Sequence, residues 1–370
     1  MKITCLRQTL VESVLNVQKA VSTKSCLTAL EGILISTKEN TISLCGYDLE
    51  LGIITEIPAT IEQQGQVVIN AKLFSEIIRK APADTITISV DEKLIATITS
   101  APAEFSLVGL SQEDFPEIPT LPDAETLSLD GETLKGMIRQ TLFATSETDV
   151  KPINTGTLFE VSKTELKLIS VDGFRLALRR EQLAGGKEMR FVVPGKTLNE
   201  VLKILPDSED AKIQISVGKK HIIFYIESYF VISRLLEGEF LDYTAAIPPS
   251  HTTEAVVNVK SMIESIDRVS LVVTDRLKSP VRCSFADNFA RVFCITTVGK
   301  ANDELPISMQ GDALEIGFNN RYLIDALKNT ECDEVKVLLN GPLSPIKIVP
   351  KDGDAFVFLV LPVRLKAVDE

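Results

Sequence analysis

Apolar and polar positions along this chain follow two rhythms, strict alternation that marks strands and a spacing of three and four residues that marks one helical face. Between 67 and 90 (VVINAKLFSEIIRKAPADTITISV) a short apolar strand, a turn, an amphipathic helix and an alternating strand follow in order. The same succession returns at 191–217 (FVVPGKTLNEVLKILPDSEDAKIQISV) and at 314–339 (LEIGFNNRYLIDALKNTECDEVKVLL). The apolar helical positions gather on one face each time: Leu73, Phe74, Ile77 and Ile78; then Leu198, Val201, Leu202 and Leu205; then Tyr322, Leu323, Ala326 and Leu327.

A second helix recurs ahead of each of these, at 11–21, 131–145 and 260–273. Strand pairs built around polar turns follow it at 31–55, at 156–180 and, less regularly, at 281–299. Asp48 and Asp172 stand 124 residues apart, and Phe115 and Phe240 stand 125 apart. The pattern predicts three diverged copies of one α+β domain, spanning 1–121, 122–250 and 251–370. Each copy places two helices on one face of about eight mostly antiparallel strands. Proline-rich runs at 116–122 and 248–249 serve as linkers.

Composition narrows the function. No window approaches the roughly 18 uninterrupted apolar residues of a membrane span, and the first residues alternate rather than forming a signal core, so a cytoplasmic protein is expected. Six cysteines lie in apolar stretches without metal or redox spacing and are read as small buried hydrophobes. The formal charge of −12 excludes a general polyanion binder. Yet the six presumptive helices, with Arg7 just ahead of the first and counted as Lys and Arg against Asp and Glu, carry +6, which leaves −18 for the rest of the −12 chain. A mildly basic helical layer without tryptophan or a groove-reading helix suits loose phosphate contact without base readout, and equally suits an ordinary solvated face.

Enzymatic motifs are wanting. PGKT at 194–197 resembles the end of a phosphate-binding loop, but Arg190 stands where that loop needs glycine, so it is read as a helix start. His221 lies in a strand and His251 in a linker, neither beside a nucleophile. No acidic or histidine spacing marks a metal, no cofactor is expected, and Asp172 beside Gly173 is read as a turn former. The run FVFLVLPVRL fits a core strand, although Pro362 favours an edge or an end that lines a cleft.

Four separated strings, VDGFRLAL, EFLDYTAAIP, EIGFNNRYLIDAL and the terminal LVLPVRL, occur in order over essentially the whole length, and through them the sequence resembles the bacterial DNA polymerase III β sliding clamps. That resemblance implies a head-to-tail homodimeric ring of six domains whose helices line a hole for duplex DNA. Twelve helices about 9–10 Å apart set their axes on a circle roughly 36 Å across and leave about 25 Å clear, whereas six leave about 8 Å.

The resemblance also implies site residues. A dimer interface falls on Phe105 and Leu107 against Leu271 and Val272 of a second copy. A pocket for short linear peptides of the polymerase, the clamp loader and repair proteins falls on Val171, Gly173, Phe174, Arg175 and Leu176, with Leu359, Val360, Leu361, Pro362, Val363, Arg364 and Leu365. Pro345 and Ile346 stand beside them, as do Leu241, Ala245 and Ala246, where the family often has Pro, Arg and Val. Lys24, Thr148 and Lys196 match DNA-facing positions, and helix charge adds Lys72, Arg79 and Lys80. The expected protein is a processivity factor without chemistry of its own; the rival is a repeat-built scaffold that binds peptides and never encircles DNA.

Overall fold

A computed structural model of the chain describes residues 1–148, 150–208, 211–273 and 280–365. The tail from Lys366 to Glu370 lies outside the described residues. Six helices follow the sequence rhythm: α1 (Arg7–Val17), α2 (Ala71–Lys80), α3 (Gly131–Leu142), α4 (Gly195–Ile204), α5 (Val259–Ser270) and α6 (Asn320–Lys328). All strand pairings are antiparallel.

The helices α1, α3 and α5 start earlier or stop sooner than the apolar pattern suggested. Strand Lys2–Leu6 runs straight into α1, whose buried face is Leu10, Ser13, Val14 and Val17, and 18–20 tighten into a single 3₁₀ turn. On α2 the buried stripe is Ala71, Phe74, Ser75 and Ile78. Leu73, one residue and about 100° around the axis from Phe74, is 49% exposed instead of joining that face. Cysteines correct the reading as well: Cys5, Cys45, Cys283 and Cys294 are buried, but Cys26 is exposed and Cys332 is half-buried.

The repeat is visible as hydrogen bonds. At 48, 172 and 296, spaced by 124, the backbone N–H donates to the carbonyl three residues on: Asp48 to Leu51 at 3.1 Å, Asp172 to Arg175 at 3.3 Å and Thr296 to Gly299 at 2.9 Å. In each turn the first side chain also caps the following amides. Asp48 Oδ1 accepts from Glu50 and Leu51, Asp172 Oδ1 from Phe174 and Arg175, and Thr296 Oγ1 from Val298 and Gly299. A short acceptor at this position closes the turn locally, which is why Asp or Thr stands there.

Two compact units result, and they do not coincide with the repeats: one comprises Met1–Glu132 with Lys196–Leu235, the other Thr133–Gly195 with Leu236–Glu370. The first unit holds a five-stranded sheet in the order 60–63, 2–6, 85–90, 95–100, 103–108. Its second sheet has eight strands, 125–130, 212–217, 221–226, 229–234, 51–58, 41–47, 32–37, 66–70. The other unit holds a nine-stranded sheet, 189–194, 156–161, 165–171, 175–182, 356–360, 346–350, 334–339, 253–258, 308–311. It also holds a four-stranded one, 300–306, 289–295, 281–286, 314–318.

One rule generates both long sheets. The closing strand of a later repeat pairs with the strand that follows the 124-spaced turn of the repeat before it. Tyr229–Arg234 thus pairs with Leu51–Pro58 (Val231 opposite Ile53), and Phe356–Val360 pairs with Arg175–Gln182 (Phe358 opposite Ala177). The run FVFLV is buried at all five positions, as a strand inside a sheet covered on both faces must be.

Candidate functional site

The Asp172 turn, with Gly173 at φ +91, delivers Phe174 and Arg175 to the start of strand Arg175–Gln182. There Arg175 pairs with Val360 and Leu176 with Leu359, so VDGFRL and the C-terminal run meet although about 185 positions separate them in the chain. Past Val360 the chain leaves the sheet. Leu361 N–H donates to the Phe174 carbonyl at 2.8 Å, and Val363 N–H donates to the Gly317 carbonyl at 2.8 Å. The segment passes close over Gly317, where a Cβ would lie 2.3 Å from the end of the Leu365 side chain and 3.1 Å from the Val363 carbonyl.

Arg175 is the fixed point. Its Nε donates to Asp172 at 2.9 Å and its Nη1 to Asp325 of α6 at 2.6 Å, while its guanidinium lies 4.7 Å from the Tyr322 ring centroid and 5.7 Å from that of Phe143. A planar fork with two carboxylates in its plane and rings on its faces suits arginine and not lysine. Phe174, 56% exposed, stacks on Tyr322 with centroids 5.7 Å apart. Phe174, Arg175, Tyr322, Asp325 and Val363 line a cavity of about 520 Å³ together with Thr145–Thr148, Asn319–Arg321, Asp172, Val273 and Pro280.

The expected pocket residues divide by burial. Val171, Leu176 and Leu359 are closed into an aliphatic cluster with Leu158, Phe240 and Tyr243, and Ile346 and Val360 are fully covered in a neighbouring core. Gly173, Phe174, Leu361, Val363 and Arg364 are exposed, with Arg175, Pro345, Pro362 and Leu365 half-buried. Leu241, Ala245 and Ala246 are exposed on a segment that Phe240, Tyr243 and Ile247 anchor to the aliphatic cluster. Tyr243 also donates to Glu160 at 2.8 Å, and burial followed by that carboxylate pushes its hydroxyl pKa up. A second cavity of about 440 Å³ opens where Leu158, Val192, Leu236 and Phe240 meet under Arg190.

Asn319, Asn320, Arg321, Tyr322 and Asp325 went unnoticed in the sequence as site residues. The signal was present, since Asn320 stands where the repeat partners have Ala71 and Gly195, and Tyr322 where they have Leu73 and Thr197.

Among the expected DNA-facing residues, Lys24, Lys72, Arg79, Lys80 and Thr148 are exposed. Lys196, at the start of α4, is exposed as well and also reaches Asp48 at 2.6 Å, so its charge is partly shared with the turn of the first repeat. PGKT is a strand end leading into α4, as its repeat partners required. On the edge strand Ala103–Val108, Phe105 is 39% exposed and Leu107 half-buried, and in the turn just after α5 Leu271, 85% exposed, precedes a half-buried Val272. Among the described residues no three His, Cys, Asp or Glu side chains are grouped to hold a metal, and no helix is long and apolar enough to cross a membrane.

Three α+β repeats that exchange closing strands, with a peptide-sized cavity beside the last exchange, define a clamp-type repeat protein. Models for the N-terminal, central and C-terminal domains of the DNA polymerase III beta subunit match residues 1–119, 128–242 and 244–364, and the chain belongs to that family. The beta sliding clamp of Bacillus subtilis is 34% identical over 98% of this chain and 100% of its own, and that of Staphylococcus aureus is 31% identical over 98% and 99%. The crystal structure of the B. subtilis clamp, 34% identical, superposes with a TM-score of 0.96 over 99% of this chain and all of its own. A Pseudomonas aeruginosa sliding clamp solved bound to griselimycin, 25% identical, gives 0.93 over 99% and 100%. The chain is therefore a sliding clamp, a non-catalytic subunit type and not an enzyme.

Proposed function

We propose that two copies of this chain join head to tail into a closed ring around duplex DNA and tether the replicative polymerase, the clamp loader and repair proteins through short peptides. The observation that carries the ring is the accounting of strands. Each closing strand pairs with the preceding repeat, so the first repeat's Ala103–Val108 lacks a preceding partner and the third repeat's Lys300–Pro306 lacks a following one; both are sheet edges among the described residues. Joined between copies, five strands and four strands make a nine-stranded sheet like the one at Phe356–Val360. Such a contact is heterologous, and it closes when two copies satisfy both edges. The three domains are taken as 1–121, 122–250 and 251–370. The cytoplasm is where the protein would act.

In this reading Phe105 and Leu107 meet Leu271 and Val272 across the seam. Lys24, Lys72, Arg79, Lys80, Thr148 and Lys196 face the phosphates, without base contacts and so without sequence preference. Peptides dock between the 171–176 turn and 359–365, with Leu241, Ala245, Ala246, Pro345 and Ile346 at the aliphatic end. The cavity beside Phe174 and Tyr322 supports this position, since an aromatic shelf beside a fixed cation takes an apolar anchor. The rate effect would come from tethering, which turns polymerase rebinding into an intramolecular event.

The test loads the protein onto nicked circular plasmid with a compatible loader, washes in high salt and linearises half the sample. Salt strips phosphate contacts but cannot unthread a ring. Retention on the circle and loss from the linear form is the expected result. Loss from both, with a control clamp retained, would leave only the peptide-binding scaffold.

A further inference from the structure

Two of the exposed large apolar side chains stand at positions that the repeat makes equivalent to a buried junction. Leu73 of α2 is 49% exposed although Phe74 and Ile78 of the same helix are buried, and Val298, in the third 124-spaced turn, is 69% exposed. The repeat assigns both a place. Leu73 is the third residue of α2, as Thr197 is of α4 and Tyr322 is of α6. Val298 lies two residues past Thr296, as Phe174 lies two past Asp172 and Glu50 two past Asp48. The pair equivalent to Leu73 and Val298 is therefore Tyr322 and Phe174, which stack at 5.7 Å where the third repeat joins the second.

We infer that Leu73 of one copy packs on Val298 of a second copy, forming an apolar seal at each seam of the dimer; this deepens the head-to-tail reading and rests on it. The neighbouring positions set the character of that seam. Where the second repeat joins the first, Lys196 reaches Asp48 at 2.6 Å; their equivalents at the seam are Lys72 and Thr296, a cation and a neutral hydroxyl, which can form no ion pair. The first junction within the chain thus carries an ion pair at these positions, Lys196 with Asp48, and the second pairs Arg175 with Asp325 close by; the seam equivalents of that second pair are Gly299 and Glu76, which form none, and aliphatic contact takes their place. Hydrophobic association of this kind weakens little with added salt, unlike exposed ion pairs.

The experiment is a charge-introduction cycle on the full chain, with Leu73→Lys, Val298→Glu and the double variant compared by sedimentation equilibrium at low and high salt. Both positions are exposed, and unchanged thermal melting of each variant at monomeric dilution establishes folding. The expected result is dimer affinity lower by at least about tenfold in each single variant and largely regained in the double variant at low salt. The regained affinity should fall again at high salt, and the parent dimer should barely respond. A parent that dimerises while the single variants do so equally well, or a double variant that simply adds the two losses, would overturn the contact and leave the ring intact. A parent that stays monomeric at all concentrations would instead overturn the head-to-tail reading from which the contact follows.

Discussion

Leu49 and Gly173 occupy the same place in successive repeats, each directly after the turn aspartate, and both have positive φ, 76° and 91°. Glycine takes that region freely, whereas a side chain with a Cβ costs about 1–2 kcal/mol there. Leu49 is 46% exposed, so little packing offsets the strain. Leu49→Gly should therefore raise stability by about 1 kcal/mol or somewhat less, since glycine also loses more chain entropy on folding; thermal unfolding reads it, and a lower Tm would reject the strain argument. The cysteines give a second residue-scale test. Burial pushes the Cys5, Cys45 and Cys283 thiols up from 9.0 to about 12, so each stays neutral in the native protein. A raised thiol pKa stabilises below the unfolded value and loses that contribution as pH climbs, so stability should decline between pH 9 and about 12. Thiol labelling of the native protein near neutral pH should modify exposed Cys26 first and reach these three only on unfolding.

At the scale of elements, the segment after Val360 hangs on two backbone hydrogen bonds, Leu361 to Phe174 and Val363 to Gly317. Removing Leu361 to Glu370 should leave strand Phe356–Val360 in its sheet and the dimer intact, yet lower affinity for a clamp-binding peptide by at least about 100-fold; fluorescence polarisation measures it, and normal binding would mean that the pocket lies elsewhere. Arg175→Lys tests the other wall. It keeps the charge but loses the fork to Asp172 and Asp325 and the stacking on Tyr322, so peptide affinity should fall even though net charge does not change. The helices, the strand pairs and the turn role of Asp172 were all legible from periodicity, because each is decided by residues close in sequence. Leu73 was misread because a single helical face does not say where its edge lies. The exchange of closing strands was not legible either: FVFLVLPVRL reads as a buried strand whichever repeat it pairs with. Nor did the sequence tell that Lys196 would turn to Asp48, since that pairing joins two repeats 148 residues apart.

For the whole molecule the charge balance matters more than any single lysine. A chain of formal charge −12 repels DNA at long range, so a ring of it holds the duplex by closure and needs only weak contacts inside. Replacing Lys72, Arg79 and Lys80 with serine, six cations in a two-copy ring, should therefore hardly change retention on circular DNA once loaded, while reducing the salt dependence of loading by up to about five units of log–log slope. A triple variant that slips from circular DNA would mean that those cations, and not closure, hold the clamp in place.

The first compact unit takes its last strands from 212–234, inside the second repeat, and the other unit begins its sheet at 156–194 of that same repeat. What was duplicated in the sequence is thus half a step out of phase with what folds. A gene fragment cut at a repeat boundary would leave Leu51–Pro58 without its neighbour Tyr229–Arg234, an exposed edge open to aggregation. Shuffling of such repeats during evolution would have to carry a closing strand along with the repeat it completes, so the heritable module and the cooperative one need not share borders.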